Sequence, residues 1–370
     1  MFKYVTSAAA NPPALPRVPH SLEDWKGELF WKAMDPIDSS YLCRILRHRK
    51  PEDIQLIFSE VKDQICALML NGIGSSLIIC LCGVCDEQQM NQMVSSLTAD
   101  AHILMLVCLN SHGFNAIAEF VDCLRTPKQM YDVISTLLPF MARLVKHQFG
   151  YRVIGHFVRI FPKHAKETQS ILDAIADIFF EMATDRYGHL LLGELLYSEV
   201  FLLESRPSIL SKLIADVHEL SYDTYGCCVV RDVIELGTHD VHREIVAQLN
   251  GDFAQMSMHK DAESVVSALM MKSKEELAAQ IYNEIIRSPN FSRVLVDPFG
   301  KCLLEEAQTR FKETGRNILP LPDHHEGTVR PKKKKKEKIE DACMIIEKYG
   351  FILFVCFCVS YALYLYFVVF

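Results

Sequence analysis

Pairs of adjacent aliphatic residues recur along this chain at a nearly constant interval, and in one unit a second pair follows a helical turn later. Val229, Val230, Val233 and Ile234 form that set, the spacing of a single apolar stripe on an α-helix. Ahead of the pair stand a small residue and two variable ones. The string reads Gly150-Tyr151-Arg152-Val153-Ile154, Gly188-His189-Leu190-Leu191-Leu192, Gly226-Cys227-Cys228-Val229-Val230 and Gly300-Lys301-Cys302-Leu303-Leu304. An aromatic residue precedes each of these glycines: Phe149, Tyr187, Tyr225 and Phe299. Weaker copies begin at Gly74, Gly113 and Ala262. The seven starting positions are separated by 39, 37, 38, 38, 36 and 38 residues. A further step back from Gly74 lands on Asp38, ahead of Ser39-Ser40-Tyr41-Leu42, a degenerate eighth unit.

Each period holds about three short amphipathic helices, with Pro51, Pro127, Pro162, Pro207, Gly237 and Pro289 as punctuation between units. One unit alone cannot bury its apolar stripe, so the units must stack on their neighbours. No alternating strand pattern of similar strength competes. The prediction is an all-α solenoid.

Composition adds limits. The chain has 370 residues, half of them apolar, and a formal charge of −7. Nucleic-acid binders are usually basic, but a solenoid can be acidic on one face and neutral or basic on the other. Thirteen cysteines are scattered through it and no secretory signal opens it, which predicts reduced, cytosolic thiols. Cys80, Cys82 and Cys85 have the look of half a metal site, but no second C-x-x-C completes four ligands, and small core residues explain them better. Nucleotide-binding glycine loops, H-E-x-x-H and G-x-S-x-G are missing. The sequence therefore predicts a binding protein that needs no cofactor, not an enzyme.

The period and the strings H-Q-F-G-Y-R-V-I, D-R-Y-G-H-L-L-L and D-T-Y-G-C-C-V-V resemble the Pumilio (PUF) family over residues 24–315. M-H-K-D-A-E-S-V-V resembles that family's seventh repeat, where alanine also stands in for glycine. The resemblance implies a right-handed α-α superhelix of about eight repeats, armadillo-like, whose concave face is lined by the glycine-led helices. It also implies that each repeat binds one base of single-stranded RNA. The first and fifth residues after the glycine would touch the base edge, and the second would stack between bases. Residues four apart share a helix face, so the first and fifth can grip one edge together.

Carried onto this chain, the edge pair of the Gly226 unit is Cys227 and Arg231, with Cys228 at the stacking place. A small residue with arginine resembles the family's cytosine-reading combination. The Gly300 unit offers Lys301 and Glu305, the glutamate resembling half of a guanine-reading pair. The Gly150 unit offers Tyr151 and Arg152, both able to stack, with Gly155 contributing nothing. His189 with Gly193, Phe114 with Ala118, Ser75 with Ile79, and Glu263 with Ser267 match no familiar combination. The asparagine–glutamine pair of uracil-reading repeats is missing. The stacking places hold Ser76, Asn115, Arg152, Leu190, Cys228, Ser264 and Cys302. None is aromatic, and a base stacked on an aromatic ring contributes ~1–3 kcal/mol. The expectation is divergent RNA recognition of mRNA 3′ untranslated regions, acting on translation and stability together with protein effectors. A protein-binding scaffold is the alternative. Arg152 and Arg231 are expected to lie with other cations on a positive strip of the concave face, which would favour RNA; an acidic or apolar strip would favour the scaffold.

Beyond the repeats the composition changes. Lys332 to Lys336 form a basic run, readable as an import signal, a solvated linker or a juxtamembrane cluster. Tyr349 to Phe370 then run 22 residues without a charge. As a helix this segment spans ~33 Å, against a hydrocarbon thickness of ~30 Å. A core helix would need partners all round, so the pattern predicts a transmembrane tail anchor with the lysines on the cytoplasmic side. The expected organisation is a disordered segment 1–23, a repeat domain 24–318, a basic linker 319–348 and a membrane helix 349–370. The repeat domain would then sit on the cytoplasmic face of a membrane, or in the cytoplasm where the tail is not inserted.

Overall fold

A computed structural model describes residues 21–160, 166–198 and 206–313. The chain divides into two units, Met1–Arg310 and Phe311–Phe370. Of the second, only the last turn of the helix Pro298–Glu313 is described. The predicted linker 319–348 and apolar segment 349–370 lie outside the described residues, as does all but the end of segment 1–23. Ser21 already belongs to the folded part: the short 3₁₀ turn Leu22–Trp25 follows it, with Leu22 and Trp25 buried. Among the described residues there is no strand, and no single helix is long and apolar enough to cross a membrane.

Eight helices start at the predicted register. They are Pro36–Arg47, Gly74–Cys82, Gly113–Asp122, Gly150–Ile160, Gly188–Leu196, Gly226–Leu236, Ala262–Lys272 and Pro298–Glu313. The first seven pack against one another in chain order. The eighth is tied to the seventh by hydrogen bonds from Ser267 Oγ to Glu306 (3.3 Å) and from Arg310 Nη2 to the Ser273 carbonyl (2.7 Å). A second row, from Glu87–Thr98 and Pro127–Leu137 through Lys166–Asp177, Arg206–Tyr222 and His239–Leu249 to Glu275–Arg287, also packs in order. The degenerate unit at Asp38 is thus a real member of the stack.

The core lies between the rows. The aliphatic pairs that define the repeat are buried in the seven later units, from Leu77 and Ile78 to Leu303 and Leu304. One turn on, Phe120, Phe157, Leu195, Val233 and Leu269 are buried as well. Burying one such side chain stabilises by roughly 1.5–3 kcal/mol, so the stripe is what holds each helix on its neighbours. A short third helix usually joins the rows, as Ala101–Leu109 does at 92° to Glu87–Thr98. The Gly226 unit departs from this plan: Arg206–Tyr222 runs as one 17-residue helix. No proline or glycine interrupts it after Pro207.

Candidate nucleic-acid interface

The helix starts are built by a polar residue three positions ahead of each repeat's first residue. Asp223 Oδ1 accepts from the N–H groups of Tyr225 (2.9 Å) and Gly226 (2.8 Å). Asp185, Asp297, Asn71 and Asn110 do the same at their own units. Asp35 serves Ile37 and Asp38. His147 Nδ1 accepts from Phe149, and His259 Nδ1 from Asp261 and Ala262. First-turn N–H groups have no partner within a helix, so the side chain supplies one. His147, Asp185, Asp223 and His259 stand in the repeat strings themselves, but nothing in the strings marks them as caps.

The glycine has a steric reason. A Cβ at Gly226 would lie 2.7 Å from the carbonyl oxygen of Leu220, and one at Gly300 2.7 Å from that of Val294. At Gly113, Gly150 and Gly188 the closest atom is likewise the carbonyl oxygen six residues earlier: Val107, Leu144 or Met182. The preceding helix therefore ends against the start of the glycine-led one, which fixes how that helix is aimed.

On this frame the first residue after the glycine has an unforeseen partner. Phe114 stacks on Phe149 (centroids 5.0 Å apart, 15° between planes), Tyr151 on Tyr187 (6.0 Å, 13°) and His189 on Tyr225 (4.9 Å, 21°). Each pair joins one repeat to the aromatic ahead of the next glycine. Tyr151 is buried and His189 half-buried, with His189 Nδ1 2.9 Å from the Asp185 carbonyl oxygen. The two residues carried over as base contacts are thus held in rings stacked between repeats. Cys227 is also buried.

The other predicted residues sit at the surface of the row. Arg152, Arg231, Lys301 and Glu305 are exposed and Cys228 is half-buried. Arg152 lies over the Tyr151 ring, 5.8 Å from its centroid, and its Nε donates to the phenolic oxygen at 3.3 Å. Cys228 and Cys227 share a hydrogen bond that drives their acidities apart. It lowers Cys228 to about 7, with Arg231 helping, and raises Cys227 well above the thiol range, with burial adding to it. Burial pushes the neighbouring Asp232 carboxyl up, against the pull of Arg231.

Charge on this row is of mixed sign. Arg159 Nη1 donates to Glu194 Oε2 at 3.0 Å, Lys272 pairs with Glu235, and His156 Nε2 lies 2.9 Å from Asp122 Oδ1. Each pair bridges adjacent glycine-led helices. Their carboxylates break up the positive strip that the sequence reading expected, and leave Arg152 and Arg231 as separate cationic points.

Two further pairs of cysteines meet across helices. Cys80 is lowered to about 7 by a hydrogen bond from Cys43, and Cys123 to about 7 by one from Cys82. Cys85 is pushed up to about 12 by burial. Among the described residues no disulfide forms, and no three His, Cys, Asp or Glu side chains gather around a metal position. The C-L-C-G-V-C cluster is split between different neighbours, Cys43 for one thiol and Cys123 for another.

No protein-family model matches the chain. Among curated proteins it is similar to Pumilio homolog 12 of Arabidopsis thaliana, 27% identical over 318 residues, covering 86% of this chain and 52% of that protein. It is also similar to putative pumilio homolog 7, chloroplastic, of the same organism, 28% identical over 296 residues, covering 80% and 44%. With the in-phase repeats and their shared helix start, these relatives support a divergent member of the Pumilio family. The chain spans about half the length of the curated Pumilio relatives it matches. Its fold is that of the Puf4 RNA-binding domain, solved with an HO endonuclease 3′ UTR recognition sequence (TM-score 0.67, 23% identity, 78% of this chain and 88% of that one). The RNA-binding domain of yeast Puf5p, solved with AAT2 RNA, is likewise similar (TM-score 0.65, 18% identity, 76% and 82%).

Proposed function

We propose that this Pumilio protein binds single-stranded RNA along its glycine-led helices, about one nucleotide per repeat, the arrangement for which PUF repeats are the standing example. The observation that carries the reading is the surface register. Arg152, Arg231, Lys301 and Glu305 are exposed at the places that family resemblance gives to base contacts, on helices that all start in phase. The Puf4 and Puf5p domains of like fold were solved with RNA bound, which supports the same ligand class here. Messenger RNA 3′ untranslated regions are the proposed targets, with translation and mRNA stability as the processes affected through protein effectors.

Arg231 beside the small Cys227 favours cytosine, since a guanidinium offers donors only and cytosine presents acceptors on its pairing edge. Few cations stand free on the row, so phosphate contacts are sparse and affinity should fall only shallowly with salt. The charge-free segment 349–370 behind the lysine run supports anchoring on the cytoplasmic face of a membrane. Alkaline carbonate extraction of membranes tests this: release of the full chain into the soluble fraction would exclude an inserted tail.

The binding test is retention of a randomised single-stranded RNA pool by the full-length chain, with a salt titration. Retention that weakens only shallowly with rising salt is the expected result. No retention by protein whose circular dichroism is fully helical would overturn the reading. The scaffold reading would then take its place, favoured by the mixed charge of the row.

A further inference from the structure

The fifth places along the array fall into two groups. In the first five repeats they are Cys43, Ile79, Ala118, Gly155 and Gly193. Cys43 and Gly155 are buried and the rest half-buried. Apart from a weakly polar thiol, none offers a hydrogen-bonding side chain. In the last three repeats the same place holds Arg231, Ser267 and Glu305, all polar, with Arg231 and Glu305 exposed.

The first places reinforce the division. Ser39 and Ser75 are buried, and Ser75 Oγ donates to the Gly72 carbonyl at 3.2 Å. Phe114, Tyr151 and His189 are stacked on the next repeat's ring. A base edge is distinguished from another by matched donors and acceptors; these five repeats offer no charged, amide or hydroxyl group from the fifth place, and their first-place side chains are buried or stacked on a neighbouring ring. What they expose instead, at the second place, are Ser40, Ser76, Asn115, Arg152 and Leu190. Such groups cover a base face or touch its backbone. Face stacking tolerates every base, because each has a π-face.

We propose that the array is functionally divided. The five repeats from Asp38 to Gly188 hold RNA without discriminating among its bases, and selection is confined to the three repeats led by Gly226, Ala262 and Gly300. This rests on the RNA-binding reading above. Arg231, Ser267 and the Lys301–Glu305 pair are the specificity-determining groups. The ring pairs are positioning elements that keep the non-selective repeats in line.

The test is sequencing of the RNA retained from a randomised single-stranded pool by the full-length chain and by an Arg231→Ala/Glu305→Ala variant. Both residues are exposed, so the variant should keep its helical signal. The expected result is base preference, about fivefold or more per position, over no more than three adjacent nucleotides. The remaining positions should be uniform, and whatever RNA the variant retains should show that preference flattened at two positions. Preference spread over more than three adjacent nucleotides, or surviving intact in the variant, would overturn the division while leaving RNA binding in place. Uniform retention by the native chain would overturn it too, by removing the selective part. No retention at all would remove the RNA-binding reading itself, and the division with it.

Discussion

Gly226 comes so close to Leu220 that a Cβ on the glycine would sit 2.7 Å from the leucine carbonyl oxygen. That oxygen is backbone at the end of a helix, so it has little freedom to give way. Gly226→Ala should therefore cost about 1–3 kcal/mol, read as a lower urea midpoint with an unchanged slope. Ala262 tolerates its Cβ at the equivalent place, so Ala262→Gly should cost no more than about 1 kcal/mol. Equal losses from the two changes would refute the steric account.

Asp223 satisfies two N–H groups at the start of the same helix. Asp223→Ala should destabilise the protein by about 0.5–2 kcal/mol, and Asp223→Asn by much less, because the amide oxygen still accepts. Thermal unfolding of the two variants checks this ordering. Indistinguishable variants would mean that the carboxylate charge, not the hydrogen bonds, matters.

Thiol reactivity should separate into two classes. Cys80, Cys123 and Cys228 are half-buried and held at about 7 by a hydrogen bond from a partner thiol. Cys85 and Cys108 are buried and pushed up by desolvation. The thiolate is the reacting species, so iodoacetamide should label the first three at pH 7.5 and label them progressively less as pH falls below 7. Cys43→Ala removes the donor to Cys80 and should slow labelling at Cys80 alone. Peptide mass spectrometry reads both effects, and uniform labelling of all five would contradict them.

The Arg159–Glu194 pair joins adjacent glycine-led helices at 3.0 Å, yet the two side chains are 58% and 49% exposed. Exposed pairs contribute about 0–1 kcal/mol. Arg159→Ala should accordingly leave the unfolding midpoint nearly unchanged. A larger loss would show that the polar ladder, and not the aliphatic stripe beneath it, holds adjacent repeats together.

Arg231→Ala should relax base preference at one nucleotide position while preserving it elsewhere. Retained-pool sequencing distinguishes this from uniform weakening at all bases, which would assign Arg231 to a phosphate.

Much of this was legible from residues alone. The aliphatic pairs at 36 to 39 residue steps determined the number of repeats, the helical class and the stacked arrangement, because a period-3.6 stripe has only one way to be buried. The degenerate Asp38 unit was found the same way. Periodicity also marked which residues follow each glycine.

The tertiary structure decided what those residues do. Phe114, Tyr151 and His189 look like free surface groups in a one-repeat window, and only the docking of the next repeat brings Phe149, Tyr187 and Tyr225 flat against them. The carboxylates that neutralise Arg159 and Lys272 come from helices 35 to 37 residues away. Within one repeat, local spacing dictates helix and stripe. Across repeats, contact depends on how neighbouring helices are aimed, which the approach of Gly226 to Leu220 and its counterparts fixes only once the chain is folded.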